Sequence, residues 1–96
     1  MAANRLTLGA TLVERGALRY TPAGLPALDV LMQHDSEVRH EGQVRRVGLQ
    51  LKALAIGSLV APLQAVALGE FVACAGFLAT GRNGRGLVFH ITEIGR

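Results

Sequence analysis

Apolar and polar side chains alternate with a period of two in several short runs of this chain, which is the pattern of strands that bury one face. The first run, residues 4–13, shifts phase across Gly9 and Ala10, as a long strand with a bulge does. A second run covers residues 27–34 and a third covers residues 44–53. In the third run one parity is apolar and the other is basic or polar, so this strand is expected to turn only one side toward a core. The apolar parity holds Val47, Leu49 and Leu51, and the other holds Arg46, Gly48, Gln50 and Lys52.

Glycine, proline and polar residues separate these runs. Residues 20–26 contain two prolines and a glycine and are expected to form a loop. Residues 35–43 are polar throughout and are expected to form a hairpin-like connection between the second and third strands. Beyond the third strand, apolar spacings of three and four predict a short helix over residues 58–68, with Pro62 in its first turn and Gly69 as its C-cap.

Two further apolar runs, residues 71–79 and 87–94, complete the pattern, and the Asn83-Gly84 dipeptide between them predicts a hairpin with a type I′ turn. Three strands, a short helix and two strands match an all-β, five-stranded Greek-key barrel, the OB-fold, with its helix between strands three and four. The length predicts a single domain over residues 1–96. Because the fourth strand is apolar on both parities, a partner subunit is expected to cover the face that barrel closure leaves outside.

The composition agrees with a folded domain, since 50% of the residues are hydrophobic and 18% are charged. No apolar stretch approaches the roughly 18 residues that a membrane-spanning helix needs. The N-terminal residues lack the basic and apolar segments of a secretory signal, so a cytoplasmic protein is expected. The single cysteine, Cys74, is expected to be a buried apolar residue.

The basic residues concentrate where an OB-fold binds its ligands. Ten Lys and Arg residues stand against seven Asp and Glu, for a net charge of +3. OB-folds bind ligands over strands two and three, between the loops that join strands one to two and four to five. Guanidinium groups there can bind phosphate and stack on exposed bases, so we predict a nucleic-acid-binding surface rather than a basic hairpin without a ligand. Its candidate residues are Arg19, Tyr20, Arg45, Arg46, Lys52, Arg82 and Arg85.

The sequence does not indicate an enzyme, a metal site or a cofactor. His34, His40 and His90 lack metal-ligand spacing with one another and with Cys74. The acidic residues of the polar 35–43 connection are expected in a solvated loop, which is a poor place to raise the pKa of a carboxyl group. The glycine-rich turn between the last two strands lacks the order of a nucleotide-binding phosphate loop.

Several short segments of the chain carry a family resemblance. They are Asn4-Arg5-Leu6, Thr21-Pro22-Ala23-Gly24-Leu25-Pro26, Leu68-Gly69-Glu70-Phe71-Val72, Gly76-Phe77 and Arg82-Asn83-Gly84. In their order and spacing, over nearly the whole chain, these segments resemble the primosomal replication protein N (PriB) family, relatives of the bacterial single-stranded DNA-binding protein. The resemblance implies a homodimeric OB-fold that binds single-stranded DNA and joins the restart helicase at stalled replication forks.

The resemblance also assigns individual positions. The family's basic position after the first strand matches Arg19, and its basic hairpin positions match Arg82 and Arg85. Two positions depart from the family: Gly48 stands where other members have an aromatic residue on strand three, and Asp35 stands where a basic residue follows strand two. The chain also contains no Trp. Binding is therefore expected to rest mostly on phosphate neutralisation, to be weak, and to depend steeply on salt.

Two other functions agree with the same sequence. The chain could be mainly a protein-interaction adaptor that docks the helicase and keeps a residual affinity for DNA. It could also be an OB module for RNA, which the same basic rim would serve. Likeness of fold does not separate these functions.

Overall fold

The computed structural model describes residues 1–95, which form six strands, one 3₁₀ turn and one short helix. Five of the strands are long, and β2 has only two residues. The elements are β1 (Leu6–Arg15), β2 (Arg19–Tyr20), β3 (Pro26–His40), β4 (Gln43–Ile56), a 3₁₀ turn (Gly57–Leu59), α1 (Val60–Gln64), β5 (Phe71–Thr80) and β6 (Leu87–Gly95).

The sheet closes on itself. Its strand order is β1-β5-β6-β4-β3-β2. The strand at one end of this order, β1, also pairs with β3 near the other end, so the sheet forms a barrel. A parallel contact between β4 and β6, at Ala53–Phe89 and Leu54–His90, completes the ring. The predicted all-β OB-fold, with its helix between the third and fourth long strands, is confirmed. The irregularity in β1 lies between Leu12 and Glu14, later than the predicted position at Gly9.

Apolar side chains from every long strand and from α1 fill the barrel. Phe89 is the largest of the fully buried side chains, and a Phe89→Ala substitution would cost about 3–5 kcal/mol. The helix packs two buried side chains, Val60 and Leu63, into this core. The largest fully buried side chains are Phe89, Leu12, Leu28, Met32, Leu63, Val66 and Val72.

The connection between β3 and β4 is shorter than the sequence predicts. Residues 35–40 continue β3, and the pairing with β4 runs without a break to His40 and Gln43. Only Glu41 and Gly42 form the turn, with φ of 53° and 75°, the positive values that a type I′ turn requires. The prediction failed because residues 35–46 form a two-stranded arm that extends past the core and buries neither face fully, so its side chains show no apolar period.

The turn predicted at Asn83-Gly84 has a different form. Six residues, 81–86, join β5 to β6, and positive φ occurs at Gly84 and Gly86 but not at Asn83. The Asn83 side chain accepts a hydrogen bond from the Arg85 backbone N–H at 2.9 Å, and the Gly84 N–H donates to the Gly81 carbonyl at 2.9 Å. Asn83 thus acts through its side chain, which is the second way in which this residue type builds turns.

The helix is also shorter than predicted, since it ends at Gln64 rather than near residue 68. Pro62 lies in its first turn, as expected. Gly69 does not cap this helix, since the Arg15 guanidinium donates to the carbonyl oxygen of Gln64 at 3.3 Å and, beyond the helix, to that of Val66 at 2.6 Å. Gly69, with φ of 86°, instead donates its N–H to the Leu12 carbonyl and returns the chain to the barrel.

The two apolar faces of β5 have different environments. Val72 and Cys74 are buried in the barrel, whereas Phe71 is 65% exposed and Phe77 is 39% exposed on the outside. The ring of Phe71 lies against Gly9 on the neighbouring strand, where a side chain would collide with it. The outer face of β5 is therefore an apolar surface of the isolated chain. Within residues 1–95, no helix has the length and apolar character needed to cross a membrane.

Candidate nucleic-acid interface

A groove of about 940 Å³ runs between the outer face of β3 and β4 and the 81–86 loop. Lys52 lies on its β4 side, directly across the sheet from Leu31 on β3. The end of β1, β3 and the 81–86 loop contribute further charges. Among the described residues, the groove is lined by four basic and two acidic side chains. The basic ones are Arg15, Lys52, Arg82 and Arg85, and the acidic ones are Glu14 and Asp29.

The position of Lys52 follows from the alternation along β4. Its neighbour Ala53 is buried in the barrel, so Lys52 must point outward, and it is exposed. Gln50, two residues earlier, lies on the same outer face and also lines the groove. The predicted asymmetry is present near the end of this strand, where Gln50 and Lys52 face outward and Ala53 is buried, but Leu49 on the predicted apolar side is 39% exposed.

Arg82 and Arg85 are held over the groove by the backbone of the 81–86 loop. The hydrogen bonds made by Asn83 and Gly84 define the turn between them. Both arginine side chains are exposed, and among residues 1–95 neither has a partner carboxylate within ion-pair distance. Their guanidinium groups are therefore available to an anionic ligand in the groove.

Arg19 is in a different electrostatic situation, because it pairs with Asp29. Its Nε donates to Asp29 Oδ2 at 2.8 Å and its Nη2 donates to Oδ1 at 3.1 Å. These hydrogen bonds lower the pKa of Asp29 from its ordinary value and raise that of Arg19, and the charge of Arg82 further lowers the pKa of Asp29. Arg19 lines a smaller pocket of about 180 Å³, which it shares with Arg82.

Tyr20 follows Arg19 in β2, where it pairs with Pro26 on β3. Its side chain is 65% exposed. The ring is therefore accessible, but it does not line the large groove.

The last two predicted residues lie on the arm. Arg45 and Arg46 are both exposed in β4, and as neighbours in a strand they point to opposite faces. Arg46 lies 3.6 Å from Glu37, its cross-strand partner, and Arg45 lies across from Val38. The structure thus brings Lys52, Arg82 and Arg85 into one groove, places Arg19 beside it, and leaves the two arm residues outside it.

The groove has no aromatic lining within the described part of the chain. Gly48 lies on the outer face of β4 beyond Gln50, directly across from Asp35. A Cβ at Gly48 would lie 3.2 Å from Asp35 Oδ1, so the carboxylate occupies the space above the glycine. An acidic group therefore lies above Gly48 on the outer face of β4.

Five polar or charged groove residues were missed by sequence reasoning: Glu14, Arg15, Asp29, Gln50 and Asn83. Gln50 shares the parity of Lys52 and could have been found by that signal. Arg15 and Glu14 lie at the end of β1, and only closure of the barrel brings them to the groove. Arg15 is also used structurally, since it donates to the carbonyls of Gln64 and Val66.

Among residues 1–95, no three His, Cys, Asp or Glu side chains lie close enough to share a metal ion. Cys74 is 2% exposed, and burial raises the pKa of its thiol to about 11, so the thiol is neutral at physiological pH. Its surroundings are those of a core residue.

Comparison with known proteins gives consistent results. The model of a family described as "Another single-strand binding protein family" matches residues 4–93. The replication restart protein PriB of Bordetella pertussis is 48% identical over 80 residues, which cover 83% of this chain and 75% of the relative.

Solved structures resemble the chain over its full length. The structure of PriB from Ralstonia solanacearum matches with a TM-score of 0.89 and 40% identity, over 98% of this chain and 97% of that one. The SSB domain of a Synechococcus protein matches with a TM-score of 0.73 over 100% of this chain and 98% of that one. At 22% identity, the second likeness concerns the fold alone.

Proposed function

We propose, on the premise that this chain belongs to the PriB family of single-strand binding proteins, that it binds single-stranded DNA in replication restart. The observation that carries the proposal is the convergence of Lys52, Arg82 and Arg85 on one open groove of an OB-fold. This groove lies over the strands and beside the loop with which OB-folds bind oligonucleotides. The role is one of binding rather than catalysis, and replication would place it in the cytoplasm.

The proposed mechanism is neutralisation of phosphates. Lys52, Arg82 and Arg85 contact the backbone of the strand, whereas Glu14 and Asp29 in the same groove reduce the net attraction. Binding is therefore weak and sequence-independent. On a single strand, each phosphate contact contributes about −0.7 to the slope of log K against log salt concentration. Three contacts therefore predict a slope of about −2.

The test is a titration of labelled oligo-dT, followed by fluorescence anisotropy, at several salt concentrations. A flat salt response contradicts the mechanism. The double variant Arg82→Glu/Arg85→Glu should lose affinity for every sequence about equally, because phosphate contacts carry no sequence information. For the single variant Arg82→Glu, Arg5→Glu is the matched control, since Arg5 carries the same charge but pairs with Glu93 and does not line the groove.

We also propose that the chain forms a homodimer. The support is the apolar outer face of β5 around Phe71 and Ala73, both of which are exposed in the single chain. A second copy would remove this surface from water, which is favourable in proportion to the apolar area buried. Sedimentation equilibrium tests the proposal, and a monomer at micromolar concentration would contradict it.

A second candidate function is docking of the restart helicase, with DNA affinity as a residual property. The feature that favours it is the arm of β3 and β4, which exposes Val38 and Val44 beside the Glu37–Arg46 pair. Calorimetry of the chain with the purified helicase, with and without oligo-dT, separates the two functions. Parallel titrations with oligo-U and oligo-dT test the RNA alternative, which predicts tighter binding of oligo-U.

A further inference from the structure

The smaller pocket beside the groove has a composition that phosphate binding does not explain. Its volume is about 180 Å³, below the roughly 300–1,000 Å³ typical of pockets for whole small molecules. Apolar, aromatic and guanidinium groups surround it. The lining residues are Arg19, Asp29, Leu54, Thr80, Gly81, Arg82, Val88 and His90.

One wall of this pocket is an aromatic stack. The imidazole of His90 lies on the ring of Phe77, with centroids 4.7 Å apart and planes inclined by 15°. His90 lines the pocket and Phe77 does not, so the pocket meets the side of the imidazole that Phe77 leaves uncovered. The stacked rings of Phe77 and His90 lie on the outer surface of the barrel, and Phe77 holds the imidazole in place.

The opposite wall is the ion pair of Arg19 and Asp29. Register places Phe77, His90, Leu54 and Asp29 in one row across β5, β6, β4 and β3. Strands lie about 4.8 Å apart, so the imidazole and the ion pair stand roughly 10 Å apart with Leu54 between them. Leu54 fills part of that space, and the pocket, which we call the slot, has a volume of about 180 Å³ that leaves room for one planar group beside His90 and the Arg19 guanidinium.

We propose that this slot holds one nucleobase of the bound single strand, stacked on the His90–Phe77 pair. The inference rests on the proposed binding of single-stranded DNA and adds a base-stacking subsite to it. Bases stack on aromatic side chains and on arginine planes, and such stacking is tolerant of sequence. The slot then supplies the platform that the outer face of β4 lacks at Gly48.

Arg82 connects the two parts of the site, because it lines both the groove and the slot. A phosphate held by Arg82 in the groove places the attached base next to the slot. Leu54 and Val88 give the base an apolar contact at its edge.

The experiment compares oligo-dT with an abasic oligonucleotide of the same length, titrated into the wild-type protein and three variants. His90→Ala should weaken oligo-dT binding roughly 5- to 100-fold and leave binding of the abasic strand unchanged. His90→Phe keeps an aromatic ring and should bind oligo-dT as the wild type does. His40→Ala, the same substitution at an exposed site on the arm, is the matched control and should change neither affinity.

A measurement on the wild-type protein needs no variant. The imidazole proton resonances of His90 should shift upfield in NMR spectra on addition of oligo-dT and stay in place with the abasic strand, because a stacked base shields them. If oligo-dT binds but these resonances do not move, or if His90→Ala binds oligo-dT as well as the wild type, the subsite is wrong while the groove stands. If neither oligonucleotide binds the wild-type protein, the proposed function fails and the subsite falls with it.

Discussion

The guanidinium of Arg19 donates two hydrogen bonds, of 2.8 and 3.1 Å, to the carboxylate of Asp29. The contact joins the short β2 to β3, ten residues further along the chain. Asp29 also lines the groove that holds Lys52 and Arg82. One carboxylate thus both orients Arg19 and places a negative charge where the DNA backbone is proposed to bind.

Replacing Asp29 by Asn should strengthen binding of oligo-dT by up to about fivefold at low salt, since it removes a partly exposed anion whose interactions are worth about 0.2–1 kcal/mol. The amide keeps the shape of the carboxylate and can still accept from Arg19. Anisotropy titrations measure the effect. Glu93→Gln, which removes a charge away from the groove, serves as control, and a weaker complex with Asp29→Asn would refute the prediction.

The same pair should make stability depend on pH in the acid range. Hydrogen bonds from Arg19 lower the folded-state pKa of Asp29, so their contribution is fully present above the unfolded-state value of about 3.9 and is lost as pH falls through the lower folded-state value. Because the pair is partly exposed, we expect it to contribute at most about 1 kcal/mol to the free energy of unfolding. Urea unfolding of wild type and Asp29→Asn should show a difference at pH 7 that vanishes near pH 2. A difference that persists unchanged at pH 2 contradicts this account.

Cys74 should be unreactive in the folded protein. It is 2% exposed, and burial raises its thiol pKa to about 11, so at pH 8 both access and thiolate are lacking. Labelling with a disulfide reagent should proceed only after urea unfolds the chain. Labelling of the native protein as fast as the unfolded protein would show that Cys74 is not a core residue.

Gly48→Trp should place an indole on the outer face of β4 and tighten oligo-dT binding roughly fivefold or more, because stacking adds about 1–3 kcal/mol per base. The Asp35 carboxylate must move aside, which an exposed side chain can do. The natural chain has no Trp, so fluorescence quenching reports the contact directly. Gly48→Leu adds bulk without a ring and should not tighten binding. Equal effects of Trp and Leu would argue against stacking.

Gly76→Ala should destabilise the fold by more than about 3 kcal/mol, because a Cβ there would collide with the backbone carbonyl of His90 on β6. The pairing of β5 with β6 is irregular at this point, between Ala75 and Gly76, which brings the two backbones close. Thermal unfolding should show a large loss of Tm. Gly95→Ala, at the end of β6 with only ordinary contacts, should change Tm little.

The alternation of side chains was enough to predict the long strands and the barrel. Lys52 faces outward because Ala53 faces in, whereas β5 is apolar on both parities, so alternation alone does not show that Val72 is on its buried side. The arm was missed, since a ribbon exposed on both faces leaves no periodic signal. A hairpin connection was predicted within residues 35–43, but its turn was not located at Glu41-Gly42, because Glu rarely adopts a positive φ.

What the sequence determined by itself was local: the period of each strand, the residues that break it, and hence the fold class. Only the tertiary structure decided which charges act together. Closure of the barrel brings Arg15 and Glu14 to the groove and pairs Arg19 with Asp29, and it places His90 between Phe77 and Leu54. Periodicity records which face a side chain takes, whereas the neighbours across that face come from strands far apart in the chain, and their register is settled by the packing of the whole core.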